Sequence, residues 1–450
     1  MLLYILGILV IVVGLALSIG LHELGHFLPA KKFGVKVGQF MIGFGPTLWS
    51  RRFGETEYGV KAIPLGGYIS MAGMFPPTRP GGRARTASTG FFDTVMQEDT
   101  RAPRTTMAED ARQASAATIA PGEEHRAFYQ LPIWKRVIIM LGGPFMNLVI
   151  AVVLYAVLLC GFGIAQVTTT IGSVSECVLP ATSERQDCET GDPAAPGFEA
   201  GIQPGDRLVS MDGTAVRSWE HATEIIRASP GEELALVVER AGEEVDLTVE
   251  PLLTERYVFD DSGMIVEADG EPVTTEVGFV GIGAASEIVQ QPVTEVLPAV
   301  GDNIGRVAHI IINLPARMVD IFEAAFGTEE RDPNGPISVV GVGRIAGEIT
   351  SLNTIPIVER TAALVGLIAS LNVALLVFNL IPLLPLDGGH VAGALFEGTR
   401  RFFAKLFGRS DPGPVDTAKL IPVTLVVVLV LGAMSVLLIY ADIVKPISIL

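Results

Sequence analysis

His22-Glu23-Leu24-Gly25-His26 is the stretch of this sequence best equipped for chemistry. Histidines at i and i+4 stand about 40° apart around a helix and one turn from each other, so both imidazoles can reach one metal ion. A glutamate between them can take a proton from water attacking beside that ion, which is the division of labour of metal-assisted peptide hydrolysis. Five residues of this pattern occur by chance in many helices. Here they close an apolar run that begins at Leu2. Within lipid, two histidines and a glutamate are tolerated where they face a protein-lined or watery cavity. The competing reading is a polar helix end just outside the lipid.

The elements that hold this motif follow from composition. Hydrophobic residues make up 49% of the 450 and charged residues 18%, a balance that points to a membrane protein with soluble parts. The formal net charge of −17 leaves no overall basic footprint, so no nucleic-acid partner is expected. Apolar runs at about 2–21, 137–159, 361–384 and 420–440 are each long enough to span a bilayer. Lys31, Lys32, Lys36, Arg51, Arg52, Lys135, Arg136, Arg400, Arg401, Lys405 and Arg409 flank these runs, whereas 161–360 is acidic. The positive-inside bias therefore puts the flanks in the cytoplasm and 161–360 outside, with spans one and three descending. The first run has no basic leader and no A-x-A-like site, and is expected to be retained.

Beyond His26, short β-prone pieces punctuated by glycine (Phe40–Pro46 and Glu57–Ile69) predict hairpins close to the membrane and the metal centre. Residues 76–127 lack periodicity and read as a flexible cytoplasmic loop. In the second span, Gly142-Gly143-Pro144-Phe145-Met146-Asn147 combines small residues that permit close helix approach with an asparagine that needs a partner. Asn147 suits either substrate and oxyanion support or helix packing. Outside, Cys177 and Cys188 stand eleven apart and can close a surface loop as a disulfide in an oxidising compartment. Residues 292–327 are interrupted by charges too often to span and read as amphipathic helices on the outer membrane surface.

Two histidines leave zinc one protein ligand short of the usual three at catalytic sites. Leu386-Asp387-Gly388-Gly389-His390, at the end of the third span, offers Asp387 and His390. Asp387 is the favoured supplier. His22, His26 and Asp387 all fall towards the cytoplasmic ends of descending spans, and Pro382 and Pro385 would break the helix and turn the carboxylate inward.

Two resemblances complete the reading. Pro204-Gly205-Asp206-Arg207-Leu208, a strand ending in Asp212-Gly213, a helix and a hairpin resemble a bacterial PDZ domain over about 168–253. The H-E-L-G-H span, the L-D-G and G-P-x-x-N motifs and that insert together resemble a site-2 protease, of the kind typified by the bacterial regulator of sigma-E protease. The resemblance implies an intramembrane zinc peptidase of the bacterial inner membrane, with one Zn2+ per chain. Its expected partners are the lipid bilayer and single-span membrane proteins such as anti-sigma factors. It implies His22, His26 and Asp387 as metal ligands, Glu23 as the catalytic residue, and Asn147 and Asn379 as substrate or active-site support.

The fold class expected is a polytopic α-helical membrane protein with four transmembrane helices, a membrane-associated β-hairpin region and an extracytoplasmic PDZ-like α+β domain. Its divisions are a first span with H-E-x-x-H (1–27), a β region (28–75), a flexible loop (76–130) and a second span (131–161). The PDZ-like domain (168–253) follows, then a strand and amphipathic helices (254–358), a third span with L-D-G (359–398) and a fourth span (418–442). A metal-free PDZ scaffold would have lost one of the ligands, and a transporter would show an inverted repeat; neither feature is present in the sequence.

Overall fold

Apolar side chains on every face, instead of along one stripe, mark helices suited to a lipid environment. The computed structural model describes residues 1–76, 85–88, 123–179, 183, 185, 187–258, 266–268, 271–327, 331–332 and 335–447. Its longer helices are α1 (Leu2–Lys32), α2 (Ile133–Ala156, continued as a π-helical turn to Phe162), α3 (Trp219–Ala228), α4 (Val296–Ile312), α5 (Leu314–Phe326), α6 (Val339–Ser351), α7 (Ile357–Asn379), α8 (Asp387–Leu406) and α9 (Ile421–Val444). Of these, α1, α2, α7 and α9 are long and apolar enough to cross a membrane. The chain divides into two units, Met1–Phe162 with Pro292–Leu450, and Gly163–Gln291.

In the first unit α1 packs on α2, α6 and α7. Its crossing with α2 is backbone on backbone: a Cβ on Gly25 would lie 2.2 Å from the Gly142 carbonyl oxygen, and one on Gly142 would lie 2.1 Å from that of Gly25. Without a hydrophobic force between helices in lipid, such small residues let dispersion and polar contacts hold the pair. Against the same end of α1 lie strands β1 (Val37–Phe53), β2 (Thr56–Phe75) and β3 (Arg85–Ser88). The β1–β2 hairpin folds back on itself. Gln39, Phe40, Met41 and Ile42 each pair twice, with Ser70, Ile69, Tyr68 and Gly67 on one side and Glu57, Tyr58, Gly59 and Val60 on the other. Gly43 (φ +93°) and Gly66 (φ +132°) make the bends in backbone conformations that side chains resist.

The loop expected at 76–130 is described only in part, since 77–84 and 89–122 lie outside the described residues. Residues 85–88 pair with β2, and 123–130 form two 3₁₀ turns fixed by ions. Glu123 accepts from Lys36 at 2.6 Å, while Glu55 accepts from Lys31 at 2.5 Å and Arg126 at 2.8 Å. Both stretches have defined partners where the sequence suggested a flexible loop, and those of 123–126, Lys36 and Glu55, lie far away in sequence. The division expected over 359–398, with a break at Pro382 and Pro385, is two helices. α7 stops at Asn379, Pro382 and Pro385 cannot continue it, and α8 restarts at Asp387.

The second unit carries β4 (Ile164–Val174), β5 (Arg207–Met211), β6 (Thr214–Ala215), β7 (Leu234–Arg240), β8 (Glu243–Val249), β9 (Leu252–Tyr257), β10 (Glu267–Ala268), β11 (Glu271–Pro272), β12 (Thr274–Phe279) and β13 (Ile282–Val289). One sheet runs β13-β4-β5-β7-β8 with β6 on β5, and β9 pairs with β12. Ile171, Leu208, Met211, Leu234, Leu236 and Val238 from the sheet bury Ala222 and Ile226 of α3, and truncating such a leucine to alanine costs about 2–5 kcal/mol. Ser218 caps α3 by accepting from the His221 N–H. The Arg240 guanidinium, 2.7 Å away, holds the buried Asp206 carboxyl below the usual range. Cys177 and Cys188 are disulfide-bonded. The unit is wider than 168–253: β4 needs β13 as its partner, and that strand comes from the stretch read by sequence as a separate strand with amphipathic helices (254–358).

Candidate metal centre

His22 and His26 leave α1 on the face that meets α2, where Gly143 clears room for them. A Cβ at Gly143 would sit 2.2 Å from His26 Nε2 and 2.7 Å from His22 Nε2. α8 brings Asp387 to the same point from its first residue. His22 Nε2, His26 Nε2 and Asp387 Oδ2 form a near-equilateral triangle. The nitrogens are 3.2 Å apart, and the oxygen stands 3.3 Å from His22 and 3.2 Å from His26. Tetrahedral zinc with bonds of about 2.0–2.1 Å sets neighbouring ligands about 3.3 Å apart, so the donor set and its spacing fit that ion.

The outer atoms of the ligands support this fit. His26 Nδ1–H donates to the Ile139 carbonyl at 2.7 Å, leaving the Nε2 lone pair to point at the cluster. The Asn147 amide lies 3.1 Å from His22 Nδ1, with its nitrogen towards the ring and its buried oxygen without a partner. Turning the amide over sets Oδ1 to accept from Nδ1–H, which satisfies that oxygen and fixes the lone pair on Nε2. Both imidazoles then carry the metal-binding tautomer. Asp387 Oδ2, buried and without a hydrogen-bond donor, faces both rings.

Glu23 points elsewhere on α1, towards the hairpin. A Cβ on Gly67 of β2 would lie 2.8 Å from its Cγ, so glycine is needed where the sheet meets the glutamate. Its Oε2 is buried without a hydrogen-bond partner, leaving a carboxylate oxygen for an incoming proton. His390, the rival ligand, is outside the His22–His26–Asp387 cluster. Asn379 bonds the Leu375 carbonyl of its own helix at 3.0 Å. The asparagine of α7 that reaches α1 is Asn372, fully buried and donating to Ser18 Oγ at 2.9 Å, one turn before His22. Sequence reasoning missed it, although an asparagine amid apolar residues was the available signal.

Helices of membrane-crossing length, with two histidines and an aspartate converging beside a buried glutamate, define the class as a metallohydrolase built on apolar helices. The model of peptidase family M50 matches residues 10–408, and the chain belongs to that family, the site-2 proteases. It is a zinc metalloendopeptidase. Among its relatives, zinc metalloprotease Rip1 of Mycobacterium tuberculosis H37Rv is 34% identical over 454 residues, covering 99% of this chain and 98% of the relative. Rip1 of Mycolicibacterium smegmatis is 33% identical over 460 residues, with 99% and 98% covered. Metalloprotease MmpA of Caulobacter vibrioides is 27% identical over 409 residues, covering 88% of each chain.

Proposed function

We propose that this protein is an intramembrane protease of regulated intramembrane proteolysis, cutting single-span membrane proteins of the anti-sigma-factor kind in a bacterial inner membrane. The observation that carries the reading is the His–His–Asp triangle mounted on a helix of membrane-crossing length. His22, His26 and Asp387 hold one zinc, which when bound supplies Lewis acidity to the scissile carbonyl and the attacking water. Glu23 takes the proton of that water and returns it to the leaving nitrogen as the C–N bond breaks. Asn147 orients His22. Four spans with 27–136 and the α7–α9 connection in the cytoplasm, and 161–360 outside, agree with the placement of lysine and arginine.

A substrate helix must unwind to be cut, because its carbonyls are hydrogen-bonded and covered. The β1–β2–β3 sheet beside Glu23 gives an unwound segment a backbone to pair with. The unit 163–291 is read as PDZ-like from its P-G-D-x-L turn, helix and hairpin, and as limiting substrates by size more than by binding a chain terminus. The test compares the membrane proteome with Glu23 intact and as Glu23→Gln. Single-span fragments, already trimmed outside, should accumulate with the variant. Accumulation of soluble proteins alone, or no change, would reject the assignment.

A further inference from the structure

Asp387 is the one ligand that α1 does not supply, so something must set where α8 stops along its axis. The buried ion pair of this unit nearest to that role joins α8 to α2. Arg136 Nη2 donates to Glu397 Oε1 at 2.6 Å and Nη1 to Oε2 at 3.1 Å, a fork on fork. The side chains are 8% and 1% exposed. The Glu397 carboxylate also meets Arg401 at 3.1 Å and the Val415 N–H at 3.0 Å, so both oxygens are saturated. Nothing in the hydrolytic chemistry uses these groups.

Their spacing from the site is matched on both helices. Glu397 lies ten residues after Asp387 on α8, and Arg136 lies eleven before Asn147 on α2, about 15 Å along either axis. Ile133 lies beside Gly398 at this end, while at the other end Gly143 of α2 and Asp387 of α8 both meet His22 and His26. The two helices therefore run antiparallel, with the ion pair at one end and the ligands at the other. A buried pair adds little net stability over an apolar pair of the same size. Its best-supported use is to fix register.

We propose that Arg136 and Glu397 are positioning residues, a strut that sets the axial register of α8 and so delivers Asp387 to the two histidines. The proposal rests on the reading of Asp387 as a zinc ligand. Metal sites tolerate only about 0.2 Å of error in ligand distance, so a small slide of α8 suffices to weaken the site.

The test measures zinc affinity of the full-length protein by competition with a chelator, together with thermal unfolding. Glu397→Gln and Arg136→Met should each bind zinc more weakly, by about 2–30-fold, and the double variant should be no weaker than the worse single. Each should still take up zinc to the parent stoichiometry, and kcat should recover, when zinc is in excess. Arg401→Gln, which removes one of the donors to Glu397, should shift affinity the same way by less, and serves if Arg136→Met does not fold. The matched control is Arg331→Met, which breaks an equally buried pair with Asp442 of α9, 5% and 3% exposed. It should lower the melting temperature yet leave zinc affinity unchanged. Parent-like affinity in the strut variants, or an equal loss in Arg331→Met, would overturn the strut. Full zinc in Asp387→Ala would instead remove the ligand assignment, whatever the strut variants do.

Discussion

Gly143→Ala adds one methyl group and should abolish tight zinc binding. The new Cβ would stand 2.2 Å from His26 Nε2 and 2.7 Å from His22 Nε2, where about 3.4 Å is the shortest comfortable approach for carbon. One side must therefore retreat by roughly an ångström, several times what a zinc ligand sphere tolerates. α2 cannot supply that movement freely, because one residue earlier Gly142 is locked against the Gly25 backbone. The rings must yield, and His26 can do so only by giving up its bond to the Ile139 carbonyl. Overpacking of this kind costs about 1–3 kcal/mol in folding, so the variant should fold and insert. Metal analysis after equilibration with a calibrated chelator should show at least a hundredfold weaker binding, with activity lost in parallel. Parent-like affinity in a folded Gly143→Ala protein would mean that the Nε2 atoms do not face α2 and that His22 and His26 hold no zinc at that crossing.

Three other outcomes are expected. Glu23→Gln should keep its zinc while losing turnover by several orders of magnitude, whereas His22→Ala or Asp387→Ala should lose most of the metal; elemental analysis of purified protein separates the two groups. Asn147→Ala should weaken zinc binding by about 10–100-fold, and Asn147→Asp, which still accepts from His22 Nδ1–H, should recover most of that loss in the same chelator titration. Glu55, flanked first by Arg126 and then by Lys31, has its carboxyl drawn from 4.5 down to about 2. Because the folded value is the lower one, its contribution is complete above the ordinary value and fades as pH falls from there through about 2; acid unfolding curves should lose that slope in Glu55→Gln.

The parts of this fold legible from sequence are those encoded locally. The i, i+4 histidines with their glutamate need only one helix, and the spans need only a run of apolar residues. Asp387 was legible because a carboxylate beside two prolines at the end of a span has few other uses. The hairpins were legible as β-prone pieces, but their double pairing was not, since it depends on bends at Gly43 and Gly66 that bring distant residues alongside. For the same reason β13 was missed as the partner of β4, and the turns at 123–130 as partners of Lys36 and Glu55. In α7 the sequence pointed to Asn379, yet Asn372, two turns earlier on the same face, is the residue that reaches α1.

A common rule underlies these long-range contacts. Helices that are apolar on every face have no stripe to tell a neighbour which side to present, and in lipid no hydrophobic force to choose one. In this unit two other kinds of contact make that choice. Glycines at Gly25, Gly142 and Gly143 fix how near α1 and α2 approach. Buried polar pairs fix rotation and height: Ser18 with Asn372, Tyr155 with Asn303, Arg136 with Glu397, and Arg331 with Asp442. A metal centre shared between helices needs both, because distance alone leaves the ligands free to slide past one another. The Arg136–Glu397 pair, which ties the helix carrying Asp387 to α2, is therefore part of how the site is made, and replacing it with apolar residues of equal volume should preserve folding more readily than it preserves zinc affinity, whereas Arg331–Asp442 fixes α9, which carries no ligand.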